Sequence, residues 1–239
     1  MKPEHKEIMK ARKRNIRLTV SYDGTAYNGF QRQNPPQIAV QNVLEEKLQQ
    51  VCGDTIELAA SGRTDAGVHA LGQVVNFFTD GRIPVDRLPR AVNSILPPDI
   101  VVLEAAEADR DFSARHSAKS KTYIYRILQG YIPDPFERNY NLNCIHDFSA
   151  FRAAGGPPVS PVRTIYEAGL KQQGRIVELS FFANGFLYHM VRNLVGTLAN
   201  VGLGWTSVER FKEIMESLDR NQAGATAPAQ GLYLYKVNY

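Results

Sequence analysis

Between Asn15 and Ser21 the chain alternates, with Ile16, Leu18 and Val20 set against Arg17, Thr19 and Ser21. This is the two-residue period of a strand with one buried face. The polar stretch YDGTAYNGFQRQNPPQ that follows carries Gly and Pro and predicts a long loop. Val40, Val43, Leu44, Leu48 and Val51 then recur at helical spacing, and Gly53 is placed to end that helix. Strands are predicted at residues 55–60 and 73–78, a short helix over Val85–Ile95 after Pro84, and a strand at 100–104 behind PPD. The order β, α, β, β, α, β is that of a ferredoxin-like split βαβ unit.

The second half repeats this rhythm without obvious sequence identity to the first. Strands are predicted at 120–128, where KTYIYRIL alternates clearly, at 164–171 and at 175–182. Helices follow at 187–201, with Met190, Leu194, Thr197 and Leu198 on one stripe, and at 208–218, before a closing strand at 232–237. GGPPVSPV, residues 155–162, reads as a surface loop. The expected organisation is a basic tail at 1–14 followed by two α/β halves, 15–112 and 113–239. The fold class is α+β: two ferredoxin- or RRM-like halves sharing a mostly antiparallel sheet with a central basic cleft. Asp65, Tyr123 and the helix bearing Arg192 are expected around that cleft.

Composition adds exclusions. Hydrophobic residues at 44% and charged residues at 22% describe a globular chain with a sizeable core. No apolar run is long enough to span a bilayer, and MKPEHKEIMKARKRN lacks the apolar centre of a signal peptide, so the cytoplasm is expected. Cys52 and Cys144 form no CxxC pair, and His5, His69, His116, His146 and His189 show no ligand spacing, so neither metal nor disulfide scaffold is expected. The formal charge of +4 is a weak pointer to a polyanion, and its distribution is a stronger one. Seven Lys or Arg stand against two Glu between Lys2 and Arg17, which suits a solvated tail. A second cluster, Arg110, Arg115, His116, Lys119, Lys121 and Arg126, interleaves with Tyr123 and Tyr125, the composition wanted for phosphate contact plus base stacking.

The candidate chemistry centres on AASGRTDAGVHALGQVVNF, residues 59–77, and its Asp65. An aspartate in a loop bearing Gly and Thr ordinarily closes a turn by accepting from backbone N–H groups. Arg63, two residues earlier, is suited to keep the carboxylate ionised as a nucleophile or general base. Ala66, Gly67 and Val68 leave room for something bulky to approach the backbone. His69 is expected to pack or hydrogen-bond beneath the loop, and neither it nor His189 is given a catalytic role.

GRTDAGVHA followed by GQVVNF resembles the signature of the tRNA pseudouridine synthase I (TruA-type) family. SYDGTAYNGFQRQ, AVNSILPPDI, DFSARHSAKSKTYIY, ANGFLYHMVRNLVGTL and AGATAPAQGLYL resemble further segments of that family in the same order, covering nearly everything from Ile16 to Val237. The resemblance implies isomerisation of uridine to pseudouridine at positions 38, 39 and 40 of the tRNA anticodon stem-loop, with no cofactor, by a homodimer. It implies that Asp65 is the nucleophile. Attack at the ribose, attack at the base and proton abstraction all fit the motif. The target base is paired and stacked, so it must be flipped out at a cost of a few kcal/mol. Tyr123 matches the tyrosine that stacks on the flipped base, where stacking contributes about 1–3 kcal/mol. Arg192 matches an arginine that pairs with the nucleophile, Arg63 one that holds the base out, and Arg115 a tRNA-contacting position. Tyr27, Phe30 and Arg32, in the first loop, are weaker candidates for gripping the stem-loop.

Two rival readings remain at the level of sequence. A non-catalytic RRM-like RNA-binding module needs only basic and aromatic strands, but gives the long GRTDAG match no purpose. A glycoside hydrolase also uses an aspartate at an anomeric carbon, yet ordinarily wants a second carboxylate as acid. One departure from the family pattern stands out: between DPFERNYN and DFSAFR, where the family carries a helix, only LNCIHD remains. About one average helix is missing there.

Overall fold

The computed structural model describes residues 12–128 and 144–239. The chain divides into two compact units. The first comprises everything described up to Ala118 together with Leu234–Tyr239, and the second is Lys119–Tyr233. The expected basic tail lies, but for its last residues, outside the described residues, as do Leu142 and Asn143 at the place of the missing helix. The fold is α+β, and every strand pair given in register below is antiparallel.

The first unit contains β1 (Arg14–Tyr22), α1 (Val40–Cys52), β2 (Ala59–Ala60), β3 (His69–Thr79), α2 (Leu88–Asn93), β4 (Ile100–Ala108) and most of β9 (Leu232–Asn238). Its strand order is β4-β1-β3-β9, with β2 pairing only with β3. Within β1–β4 this is the ferredoxin-like arrangement that the sequence predicts. β1 pairs with β3 so that Leu18 faces Val75 and Ile16 faces Phe77, and all four are buried. Arg17 and Thr19, on the other face, stay half-buried. With Leu44 and Leu48 of α1 and Leu88 and Val92 of α2, these apolar residues make the core of the unit.

Residues 55–60 were expected to form one strand, but only Ala59 and Ala60 do. The buried side chains of Glu45 and Gln41 on α1 take the backbone groups of Leu58 first. The Leu58 amide donates to Glu45 Oε1 at 2.9 Å, and its carbonyl accepts from Gln41 Nε2 at 3.3 Å. Side chains thus replace the ladder and satisfy buried backbone groups. Other boundaries shift for similar local reasons. Residues 84–88 enter α2 through two i→i−3 turns, so that helix begins at Leu88 and not at Val85. α1 begins without a side-chain cap because the first loop supplies its acceptors: the Val40 and Gln41 amides donate to the carbonyls of Gly29 and Phe30. At its other end Gly53 is left-handed, with φ +76°, and its amide returns to the Gln49 carbonyl, as expected.

The second unit has β5 (Ser120–Leu128), β6 (Cys144–Asp147), β7 (Val162–Gln173) and β8 (Ile176–Ala183), in the order β5-β8-β7-β6. Two helices follow, α3 (Met190–Gly202) and α4 (Val208–Ser217). α3 starts at Met190, the first residue of its stripe, and not at Leu187 as expected, because His189 at its N-cap sits at φ +56°. Ser207 caps α4 by accepting from the Arg210 amide. β6 is the strand the sequence reading omits: four residues at the missing-helix site pair with β7 from Cys144 against Ile165 to Asp147 against Val162. Met190, Val191, Leu194 and Val195 on α3, Phe148 and Phe151 before β7, and Leu179 and Phe181 on β8 are all buried and form the core. Phe151 stacks on Phe211 of α4, with centroids 5.8 Å apart.

Candidate active site

Asp65 stands on a loop, residues 61–68, whose backbone is held from two sides. From the first loop, the Phe30 amide donates to the Thr64 carbonyl at 3.1 Å, and the Gly67 amide donates to the Tyr27 carbonyl at 3.3 Å. Gly29 makes this approach possible. It is left-handed at φ +85°, and a Cβ there would lie 2.7 Å from the Thr64 oxygen. A Cβ on Gly24 would likewise collide with the Val68 carbonyl. From beneath, Gln73 of β3 accepts from Ser61 Oγ at 2.6 Å and donates to the Gly62 carbonyl at 2.9 Å. The buried phenol of Tyr22, last residue of β1, meets Thr64 Oγ1 at 2.7 Å. Within the loop, the Val68 amide donates to the Asp65 carbonyl, closing a turn. The aspartate is therefore part of a turn through its backbone, while its side chain stays half-buried rather than wholly enclosed.

Arg63 is exposed and forms no side-chain hydrogen bond or ion pair with any described residue, so the local Arg63–Asp65 pair is not made. His69 is buried, and its Nδ1 lies 3.1 Å from both the Gly24 amide and Asp23 Oδ1. A backbone amide can only donate, so Nδ1 is the acceptor and the carboxylate contact is not an ion pair. His69 thus hydrogen-bonds to the first loop, where the sequence reading expected it beneath the loop of Asp65. The Asp23 carboxyl is held below its ordinary value chiefly by hydrogen bonds from Thr25.

The three first-loop candidates have other employment. Phe30 is 1% exposed and packs against Tyr22, with ring centroids 6.0 Å apart, so it has no surface with which to grip RNA. Tyr27 is buried and donates its hydroxyl to Asp99 at 2.8 Å; burial first, then that carboxylate, pushes its pKa up. Arg32 lies 2.5 Å from Glu45, whose side chain is 5% exposed against 47% for its own. Arg115 is exposed, in a turn fixed by Ser113 and Ser117 and by the Ala114 amide donating to Asn76 Oδ1. A groove of about 460 Å³ lies on the first unit's sheet, lined in part by Arg17, Thr19, Glu104, Tyr235 and Lys236. None of the candidate residues lines it.

In the second unit, Tyr123 on β5 is half-buried, opposite Phe181 in register, and in T-shaped contact with Phe186 at 5.1 Å. Arg192 lies in the first turn of α3. Its Nε donates to the Ala227 carbonyl at 2.7 Å, and the Ala227 amide returns to the Arg192 carbonyl at 3.1 Å. The segment 223–228 can lie this close because Gly196 has no side chain: a Cβ there would collide with the Ala225 carbonyl. Arg220 fastens the segment with bonds to the carbonyls of Ala223 and Gly224, to Thr226 Oγ1 and to Asn193 Oδ1. Beside it Tyr125 is buried and donates to the Pro228 carbonyl; burial raises its pKa, and the charge of Arg192 opposes the rise.

Tyr22, Gln73, Glu45 and Arg220 were not singled out from sequence. The signals available were a tyrosine at a strand's end, polar residues on otherwise apolar faces, and an arginine just before a Gly-rich segment. Among the described residues no three His, Cys, Asp or Glu side chains are grouped to hold a metal ion. No helix there is long and apolar enough to cross a membrane.

A family model described as tRNA pseudouridine synthase matches residues 18–117 and 144–239. A tRNA pseudouridine synthase A of Thermoanaerobacter sp. (strain X514) is 44% identical over 244 residues, covering 95% of this chain and 100% of the relative. Proteins of the same name from Acetivibrio thermocellus and Lacticaseibacillus casei are 42% and 43% identical, covering 95% and 94% of this chain and 100% and 99% of their own. Among solved structures, a chain of a Cbf5-Nop10-Gar1 complex aligns over 96% of this chain and 60% of its own at 13% identity and a TM-score of 0.35. That likeness is too slight to bear on the chemistry.

Proposed function

The chain belongs to the tRNA pseudouridine synthase family, whose members are isomerases, and we propose that it converts uridines 38, 39 and 40 of the tRNA anticodon stem-loop to pseudouridine with Asp65 as nucleophile. The observation that supports this most is local. The 61–68 loop is anchored at Ser61, Gly62, Thr64 and Gly67, while Asp65 at its centre remains partly exposed. A nucleophile needs this combination of a fixed backbone and an accessible side chain.

The isomerisation breaks the bond between the ribose and a ring nitrogen, turns the base and closes a bond to a ring carbon, which gives up its proton while the freed nitrogen takes one. Nothing is gained or lost in composition, so no redox or group-transfer partner is called for. A base in the stem must first be flipped out, and Tyr123 supplies a ring to stack on it. Arg63 and Arg192 supply positive charge, Arg63 toward the extruded base and Arg192 toward the reacting carboxylate. Arg115, exposed on its turn, contacts the RNA backbone. The enzyme acts as a cytoplasmic homodimer without a cofactor.

Asp65→Asn is the test. The variant is expected to bind an anticodon stem-loop transcript within a few-fold of wild type and to form no pseudouridine in single turnover. Turnover retained by the variant overturns the mechanism. Binding without turnover in the wild type makes the chain an RNA-binding module instead.

A further inference from the structure

The hydroxyl of Tyr22 has no part in the function just set out, yet it touches the residue before Asp65. We propose that Tyr22, acting through Thr64, is a positioning residue for the Asp65 carboxylate. The inference rests on the reading of Asp65 as the reacting group.

The argument starts with burial. Tyr22 is 4% exposed and Thr64 6%, so the hydrogen bond between them at 2.7 Å is closed off from solvent. Burial drives the Tyr22 pKa well up, with Thr64 and Gln73 opposing as hydrogen-bond partners, so the phenol stays neutral. Gln73, 0% exposed, holds the loop at Ser61 and Gly62. Two side chains from two neighbouring strands thus reach up under the same loop and form one polar cluster inside an apolar core. A strand end carries little freedom, because Tyr22 is paired with Ala70 on one side and Ile100 on the other. The loop consequently inherits the rigidity of the sheet at the residue next to its carboxylate.

An apolar residue would fill the position of Tyr22 without importing a buried polar group. Core residues of this kind need partners, and an unmade bond leaves the other hydroxyl buried and unpaired. The contact does something an apolar side chain cannot: it fixes the rotamer of Thr64 and, with the Phe30 amide on the Thr64 carbonyl, pins that residue from side chain and backbone alike. Errors in position of about 1 Å cost roughly a hundredfold in rate.

The experiment compares Tyr22→Phe, Thr64→Val, the double variant and Thr64→Ser in single-turnover pseudouridine formation and in binding to the same transcript. Tyr22→Phe and Thr64→Val are each expected to slow the chemical step by about 10- to 100-fold with tRNA affinity unchanged. The double variant should be no slower than the worse single one, and Thr64→Ser, which keeps the hydroxyl, should stay near the wild-type rate. Should Tyr22→Phe fail to fold, the Val and Ser variants of Thr64 carry the same contrast. Wild-type turnover in Tyr22→Phe, parallel loss of rate and affinity, or additive losses in the double variant would each overturn the proposal. An inactive Asp65→Asn beside a fully active Tyr22→Phe sinks this inference alone, whereas an active Asp65→Asn sinks the reading beneath it.

Discussion

Glu45 offers a measurement of how much one buried carboxylate contributes to the first unit. Its Oε1 accepts the Leu58 amide at 2.9 Å and Gln41 Nε2 at 2.8 Å, and its Oε2 faces Arg32 at 2.5 Å. Glu45→Ala leaves the Leu58 amide and one Gln41 N–H without their acceptor, at about 1–3 kcal/mol for each buried unsatisfied group. The sum, about 2–6 kcal/mol, brackets the roughly 3–5 kcal/mol that removal of one partner from a buried pair costs. Glu45→Gln keeps a carbonyl oxygen for Leu58 but turns an amide toward the guanidinium, so about 1–2 kcal/mol is expected. Arg32 is half in water, and Arg32→Ala should cost no more than about 1 kcal/mol. Urea unfolding followed by circular dichroism, with slopes compared across variants, reads these differences as shifts in midpoint. An Ala variant no less stable than Arg32→Ala would refute the reasoning, because Glu45 would then be acting only as half of a surface ion pair.

Two further perturbations address the loops and the pH dependence. Gly29→Ala should lose about 1–2 kcal/mol to the left-handed backbone and about 1–3 kcal/mol to the shift forced on the Thr64 carbonyl; urea midpoints and single-turnover rates should both fall, and an unchanged rate would refute the link between the loops. The Asp54 carboxyl is held below its ordinary value first by the Thr79 hydroxyl and then, against desolvation, by the Asp80 and Gly81 amides. Its contribution is complete above the unfolded carboxyl pKa of about 4 and drains away as pH falls through the lower folded value. Asp54→Asn should therefore lose less stability than wild type between pH 5 and pH 3, and parallel losses would refute the assignment.

Much of this was legible in the chain because single faces carried it. Ile16, Leu18 and Val20 alternate, Val40 to Val51 follow a helical stripe, and both elements stand where that pattern puts them. The short β2 was not legible, because Glu45 and Gln41 reach their backbone partners across sequence, and no local pattern encodes such reach. β6 was missed because four residues are too few to show a period. At the site, Asp65 was singled out through the motif around it, whereas Phe30, a candidate for gripping RNA, is buried. An aromatic residue in a polar loop looks exposed until the loop folds back and buries it against Tyr22. Tyr22 itself was read as the first residue of the polar loop, since nothing in its neighbourhood announces a partner more than forty positions away.

Residues 234–239 rejoin the first unit, where β9 lies beside β3 and Tyr239 packs on Phe112 and donates to the Ala114 carbonyl. Gly72 is part of that seam, since a Cβ there would lie 2.6 Å from the Tyr235 carbonyl. During synthesis, β3 and the Asp65 loop leave the ribosome long before the strand that completes their sheet. At about 5–20 residues per second the interval is on the order of ten to thirty seconds. Through that interval the margin of β3 away from β1 is covered only where the two-residue β2 pairs with Val75 and Asn76, and the rest of it is open to pairing with a neighbouring nascent chain. The unit that holds Asp65 is thus begun before the other and closed after it, and an incompletely made chain carries that aspartate without the finished sheet beneath it.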